Sequence, residues 1–304
     1  MKLVTIDGRE VAGRPGVLLD SNQVLDLSAA PSTLSESQWI PYSVVSILAA
    51  GESGAENVNR LVQALDSIDA AEKAALAEQH VLVPLAEASL MSPLRRPGLM
   101  LISLSATTGE ALRNRVFIKS PNSAAGNNAT VRLPKSQRSQ IVATPLLAAI
   151  LGRPLHEASE QEAEEAIAAY TLIIEFETVD LDADTGAGWR GYVESKQFPE
   201  SCPMGPAMVT VDELPDPAHI QAAVSINGVA TANGPLLHSS ISPAAVVADL
   251  SSRYGFSTGD LVAFGTRVID DSSQEVPLRV AVQPGDELSV DLPGIMSLSS
   301  HLAV

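Results

Sequence analysis

The chain is poor in residues that staple a fold or bind metal unaided. Its 304 residues include one cysteine, Cys202, which excludes an internal disulfide and any CxxC metal or redox site. That cysteine precedes a proline with no histidine near it in sequence, so it reads as a small packing residue rather than a nucleophile. The five histidines (80, 156, 219, 238 and 301) share no metal-ligand spacing. Basic residues are outnumbered, 19 Lys and Arg against 36 Asp and Glu, for a formal net charge of −17. With no basic block to neutralise phosphates, nucleic-acid and anionic-membrane partners are not expected. The longest nearly uninterrupted apolar run, IVATPLLAAILG, falls short of the ~20 residues a membrane span needs. The opening MKLVTIDGREVAG has no apolar signal-peptide core. TGAG (185–188) follows DLDAD instead of opening a helix, so it reads as a turn rather than a phosphate loop. These absences describe a soluble protein of a reducing, cytoplasmic setting.

What remains is a chain long enough for a substantial core, with generous apolar content and modest charge. The first ninety residues read as a small α+β unit. Strand-like runs broken by DG and DSN turns suggest hairpins up to residue 27. Ser35 and Gln38 have the spacing of a capping box before a helix carrying Val44, Val45, Ile47 and Leu48 and ended by Gly51. Residues 54–79 read as one further helical stretch. The proline-rich PLAEASLMSPLRRPG (84–98) marks a boundary between units of 1–92 and 93–304. Beyond it, short β runs dominate: GLMLISLS, VFIK, ATVRLP, IVATPLLAAIL, AYTLIIEFETV, AMVTV, IQAAVSING, DLVAFGT and ELSVDL. SEQEAEEAIAAYT and SPAAVVADLSSRYG are the helices among them, the first with acids in its opening turns.

Taken in order, RRPGLMLISLS, VFIKSPNSAAGNNATVRLP, LLAAILGRP, EEAIAAYT, SKQFPESCPMGPAMVTVDELPDP, INGVATANG, STGDLVAFGT and VQPGDELSVDLPGI make the chain similar to the fumarylacetoacetate hydrolase family over residues 95 to 304. The resemblance implies an α+β fold: a mixed β-sandwich roll preceded by a small α+β N-terminal domain. It also implies a homodimer acting on a small molecule. Members of the family cleave or decarboxylate β-diketo or 2-oxo acids with a divalent cation held by three acids. Two of those acids lie in a Glu-x-Glu strand and one follows a Tyr-Thr, and a lid His-x-x-Glu pair activates water.

This chain departs from that pattern. The Glu-x-Glu positions fall on Thr144 and Leu146, and the lid pair on Gly109 and Leu112, with Glu110 or His238 as the nearest substitutes. The acid after Tyr-Thr persists as Glu175, but its neighbours have become Ile174, Glu177 and Val179. The residues expected to form the site are therefore Lys196 and Glu175 as the catalytic pair, with Lys119, Thr144, Tyr170, Gly265 and Thr266 around the substrate. No metal and no other cofactor is expected. Glu177 shares a strand face with Glu175, although such a second acid is more often solvated. The reading favoured is a repurposed, metal-independent enzyme performing tautomerisation, decarboxylation, elimination or cyclisation on an oxygenated, polyketone-like molecule. A non-catalytic scaffold and an ordinary magnesium-dependent C–C hydrolase are the alternatives.

Overall fold

Strands dominate the computed structural model, which describes residues 1–8, 13–34, 39–106, 115–134, 139–180, 193–214, 216–237, 241–267 and 278–304. The N-terminal unit holds β1 (Lys2–Ile6), β2 (Arg14–Leu18), β3 (Gln23–Asp26), α1 (Ala30–Thr33), α2 (Val44–Ala49), α3 (Gly51–Ser67), α4 (Ala70–Glu78) and β4 (Leu82–Pro84). There follow β5 (Met100–Ala106), β6 (Arg115–Ile118), β7 (Ala124–Ala125), β8 (Ala129–Arg132), β9 (Ser139–Leu151), α5 (Glu160–Ala166) and β10 (Ile167–Asp180). The remainder comprises β11 (Cys202–Pro203), β12 (Met208–Thr210), β13 (Gln221–Ile226), β14 (Val229–Pro235), α6 (Pro243–Ser251), β15 (Leu261–Arg267), β16 (Val280–Val282), β17 (Glu287–Leu292) and β18 (Met296–Ala303).

Two local expectations need correction. Residues 54–79 form two helices, because Asp69 turns its carboxylate onto the amides of Ala71 and Glu72 while Glu72 returns to the Asp69 amide. The cap of α2 is Ser43, accepting from the Ser46 amide; the Ser35–Gln38 box lies outside the described residues.

The large sheet runs β4-β3-β2-β1-β12-β10-β9-β15-β5-β6, with β16 also on β9. Because β1 pairs with β12, the N-terminal hairpins continue this sheet across the proline-rich stretch. A five-stranded sheet, β14-β13-β17-β18-β8, lies against it. The two-residue period of β10 divides its side chains. Tyr170, Leu172, Ile174 and Phe176 enter the core shared with the second sheet and with α5 and α6. Ala169 and Ile173 enter the core beneath α2, α3 and α4, with Leu146, Ala148 and Ile150 of β9. Burial of this kind is worth roughly 25 cal/mol per Å² of apolar surface, which drives the layering. No helix among the described residues is long and apolar enough to cross a membrane.

Candidate active site

Past Ile173 the second face of β10 changes from apolar to charged. Glu175 and Glu177 lie on it, two residues apart and both buried. The expectation that Glu177 is solvated is thus corrected: the chain around Lys196 covers it.

The stretch ESKQFPESCPMGP delivers that lysine. It runs along the edge of β10, where Phe176 donates its amide to the Ser201 carbonyl (3.0 Å) and Thr178 to the Ser195 carbonyl (3.1 Å). Its end is pinned by Gly205, whose amide donates to the Leu172 carbonyl at 3.0 Å. Gly205 sits at φ 113°, and a Cβ there would stand 2.9 Å from Pro93 Cδ, so only glycine fits the corner. Lys196 projects inward, 2% exposed, with the Phe117 ring centroid 5.9 Å from its Nζ.

Lys119 comes from the loop after β6 and is fully buried. Gln197 clamps that loop, accepting from the Ser120 amide at 2.9 Å and donating to the Ile118 carbonyl at 3.0 Å. Lys119 in turn donates to the Lys196 carbonyl, which also accepts from the Ser201 hydroxyl.

The result is a row of alternating charge. Lys119 Nζ stands 3.6 Å from Glu175 Oε1, and Lys196 Nζ stands 3.6 Å from Glu175 Oε2. Lys196 also bonds Glu177 Oε2, whose other oxygen accepts from Arg279 Nη2. Burial lowers the Lys196 pKa to about 8, helped by repulsion from Lys119 and Arg279 and opposed by Glu175. Glu175 Oε1 is buried with no hydrogen-bond partner among the described residues. Such a row holds together only as a whole, because removing one member strands a charge away from water.

Thr144, half-buried, pairs directly with Glu175 across the β9–β10 ladder. Gly265 is nearby on β15; a Cβ on it would lie 2.7 Å from Leu104 Cδ2 and 3.0 Å from Leu146 Cδ2. Thr266 is placed by its backbone pairing with Ser105. Tyr170 does not join the group: it points to the opposite face of β10 and lines a cavity of about 330 Å³ with Glu164, Ile167 and Leu214. Burial raises its hydroxyl to about 12. Gly109, Glu110, Leu112 and His238 lie outside the described residues. Cys202 is buried, and its thiol is pushed up to about 12 by that burial, as suits a packing residue. Sequence reasoning missed Arg279 altogether, together with the Gln197 clamp and Phe117.

The family model described as fumarylacetoacetate (FAA) hydrolase C-terminal matches residues 103–303. The chain is 22% identical to an oxaloacetate tautomerase of Bacillus subtilis (strain 168), over 94% of this chain and 95% of that one. A maleylpyruvate hydrolase from Sphingobium sp. SYK-6, solved with manganese(II) and pyruvate, superposes with a TM-score of 0.74 at 18% identity, over 100% of this chain and 99% of that chain. A 2-hydroxyhepta-2,4-diene-1,7-dioate isomerase from Mycobacterium marinum superposes with a TM-score of 0.59 at 22% identity, over 73% of this chain and 80% of that chain.

Proposed function

The chain belongs to the fumarylacetoacetate hydrolase family, and on that premise we propose that it is an enzyme relocating a proton beside a carbonyl group of a small oxygenated acid, a keto–enol tautomerisation, without a divalent cation. The observation that carries this reading is the buried Lys196 ammonium standing 3.6 Å from Glu175, on the face of β10 whose first half enters the apolar core. Glu175 takes the proton from the carbon next to the carbonyl. The Lys196 ammonium steadies the enolate oxygen and gives it a proton. Lys196 is then neutral and Glu175 protonated, and a proton passing back across their contact resets both. Buried acid and base partners held in fixed geometry are the equipment such a step needs.

A divalent cation does not fit this donor set. Leu146 has no lone pair to offer, Thr144 brings only a neutral hydroxyl, and Glu177 is taken by Lys196 and Arg279. No three His, Cys, Asp or Glu residues among those described are grouped to hold an ion. Hard cations want several oxygen ligands, and a carboxylate already bonded to cations is a poor one. Two of the similar proteins support proton relocation: one is an oxaloacetate tautomerase and one a 2-hydroxyhepta-2,4-diene-1,7-dioate isomerase. The filling of the space over Gly265 by Leu104 and Leu146 favours a second reading, a binding scaffold without turnover.

The test follows the ultraviolet absorbance of the enol form of oxaloacetate and related 2-oxo acids in excess chelator. A saturable acceleration that survives chelation and is lost in Lys196→Met and Glu175→Gln, both folded by circular dichroism, is the expected result. Full rates in both variants, or a rate that chelator abolishes, would sink the proposal. The same reading takes the chain as a cytoplasmic homodimer, which sedimentation velocity tests for assembly.

A further inference from the structure

The proton transfer uses Lys196 and Glu175 and leaves Arg279 without a task. Arg279 immediately precedes β16, which pairs with β9 at Ile141, Val142 and Ala143. From there its guanidinium meets Glu177 on β10. Its side chain is 43% exposed, whereas those of Lys119, Lys196, Glu175 and Glu177 are 0%, 2%, 4% and 6% exposed. The row of charges therefore has one end in solvent, and that end is an arginine.

Among the described residues, Lys119, Lys196 and Arg279 stand against Glu175 and Glu177, three cations to two carboxylates, in a chain whose formal net charge is −17. A guanidinium has five N–H donors in a flat fork matched to a carboxylate. The one hydrogen bond that Arg279 makes among the described residues uses Nη2 alone. The donors of Arg279 that no described residue takes lie at the solvent end of the row, on the side of the site where Thr144 is also half-exposed.

We propose that Arg279 is the residue that anchors the substrate's carboxylate, and that Glu177 holds its guanidinium in place until the substrate arrives. The inference rests on the proposed reaction for its substrate and assigns that substrate's anchor. Glu177 keeps Lys196 through Oε2 while the carboxylate occupies the remaining donors of Arg279, so binding adds a charge-assisted pair without stranding either glutamate.

The test measures binding and turnover separately, on the full chain. Pyruvate and its uncharged methyl ester are titrated calorimetrically into wild type, Arg279→Met and Arg279→Lys. Arg279→Met is expected to weaken pyruvate binding roughly tenfold or more, with ester binding unchanged, as truncation of one partner in a charged pair does. Arg279→Lys, which keeps the charge but not the fork, falls between. With a turned-over substrate, KM rises and kcat changes less. Equal pyruvate binding by wild type and Arg279→Met overturns the assignment, as does parallel loss of acid and ester or no pyruvate binding by wild type. Turnover that ignores Arg279→Met defeats this inference and spares the proposed reaction. Arg279-dependent pyruvate binding without any turnover does the reverse.

Discussion

Lys119 donates its ammonium to the main-chain carbonyl of Lys196, so one site lysine fixes the backbone of the other. Both also face Glu175, each 3.6 Å from a different carboxylate oxygen. This cross-link explains how a fully buried lysine is tolerated at position 119: its charge ends on a carbonyl dipole and a carboxylate rather than on apolar atoms. Lys119→Met should therefore cost about 3–5 kcal/mol of folding stability, the scale for breaking a buried charge pair. Lys119→Met with Glu175→Gln should recover part of that loss, since the stranded carboxylate is gone. Urea unfolding of both variants checks this; a double variant no more stable than Lys119→Met would show that the pair is not what matters.

Activity and stability should respond to pH in opposite senses. Lys196 titrates near 8 in the fold, against an ordinary lysine value of 10.5, chiefly through burial, with Lys119, Arg279 and Glu175 around it and Glu177 bonded to it. The proposed step needs the ammonium, so kcat falls as pH rises through about 8. Between that value and 10.5 the unfolded chain binds this proton more fully than the folded one does, so the stability contributed by Lys196 rises with pH. Cys202, raised from 9.0 to about 12, acts in the opposite sense only above about 9. Comparing wild type with Lys196→Met between pH 7 and 9, by unfolding and by rate, isolates the lysine. If the rate and the Lys196-dependent stability fall together, the assignment of the ammonium fails.

The sequence made the architecture legible because β9 and β10 are long apolar runs whose alternation forces two faces, because Glu175 falls on β10, and because Lys196 falls just before the Gly205-Pro206 corner. Tyr170 could have been excluded on the same alternation: it is an odd number of residues from Glu175 and so belongs to the other face. The burial of Glu177 was not legible, since it depends on the chain around Lys196 coming down beside it. Arg279 had no local signal at all; it reaches Glu177 across 102 positions of sequence through the pairing of β16 with β9. β18 escaped for another reason: its serine-rich MSLSSHLA alternates in burial, but its small polar residues hide the apolar side of the pattern.

Gln197 is a positioning residue with an effect that can be separated from packing. Its amide bonds the backbone on both sides of Lys119. Gln197→Ala should lose about 1–2 kcal/mol, two ordinary hydrogen bonds at the edge of the fold. If the clamp places Lys119, and through it Lys196, then kcat drops further than thermal stability implies, and Gln197→Glu, which keeps the acceptor for Ser120, recovers part of the rate. A loss of stability with an unchanged kcat at 25 °C would make the clamp purely structural.

The register of β9 against β10 also says how a cation site could be built here. Thr144 faces Glu175 across the ladder, and Leu146 lies two residues along on the same side. Thr144→Glu and Leu146→Glu, with Glu177→Ser to remove the carboxylate that now draws Lys196 and Arg279, would group three carboxylates on one face, a donor set that hard divalent cations accept. Leu146 is buried and packs close over Gly265, so a glutamate there is destabilising while its charge is uncompensated. The triple variant should therefore unfold at a lower temperature than wild type in chelator and gain stability progressively with added manganese, because a ligand held only by the folded state shifts the equilibrium towards it. Wild type should melt at the same temperature with manganese or chelator. Stabilisation of wild type by manganese would mean that its own residues already hold the ion, whereas a triple variant indifferent to manganese would mean that facing positions on this ladder do not converge on one point.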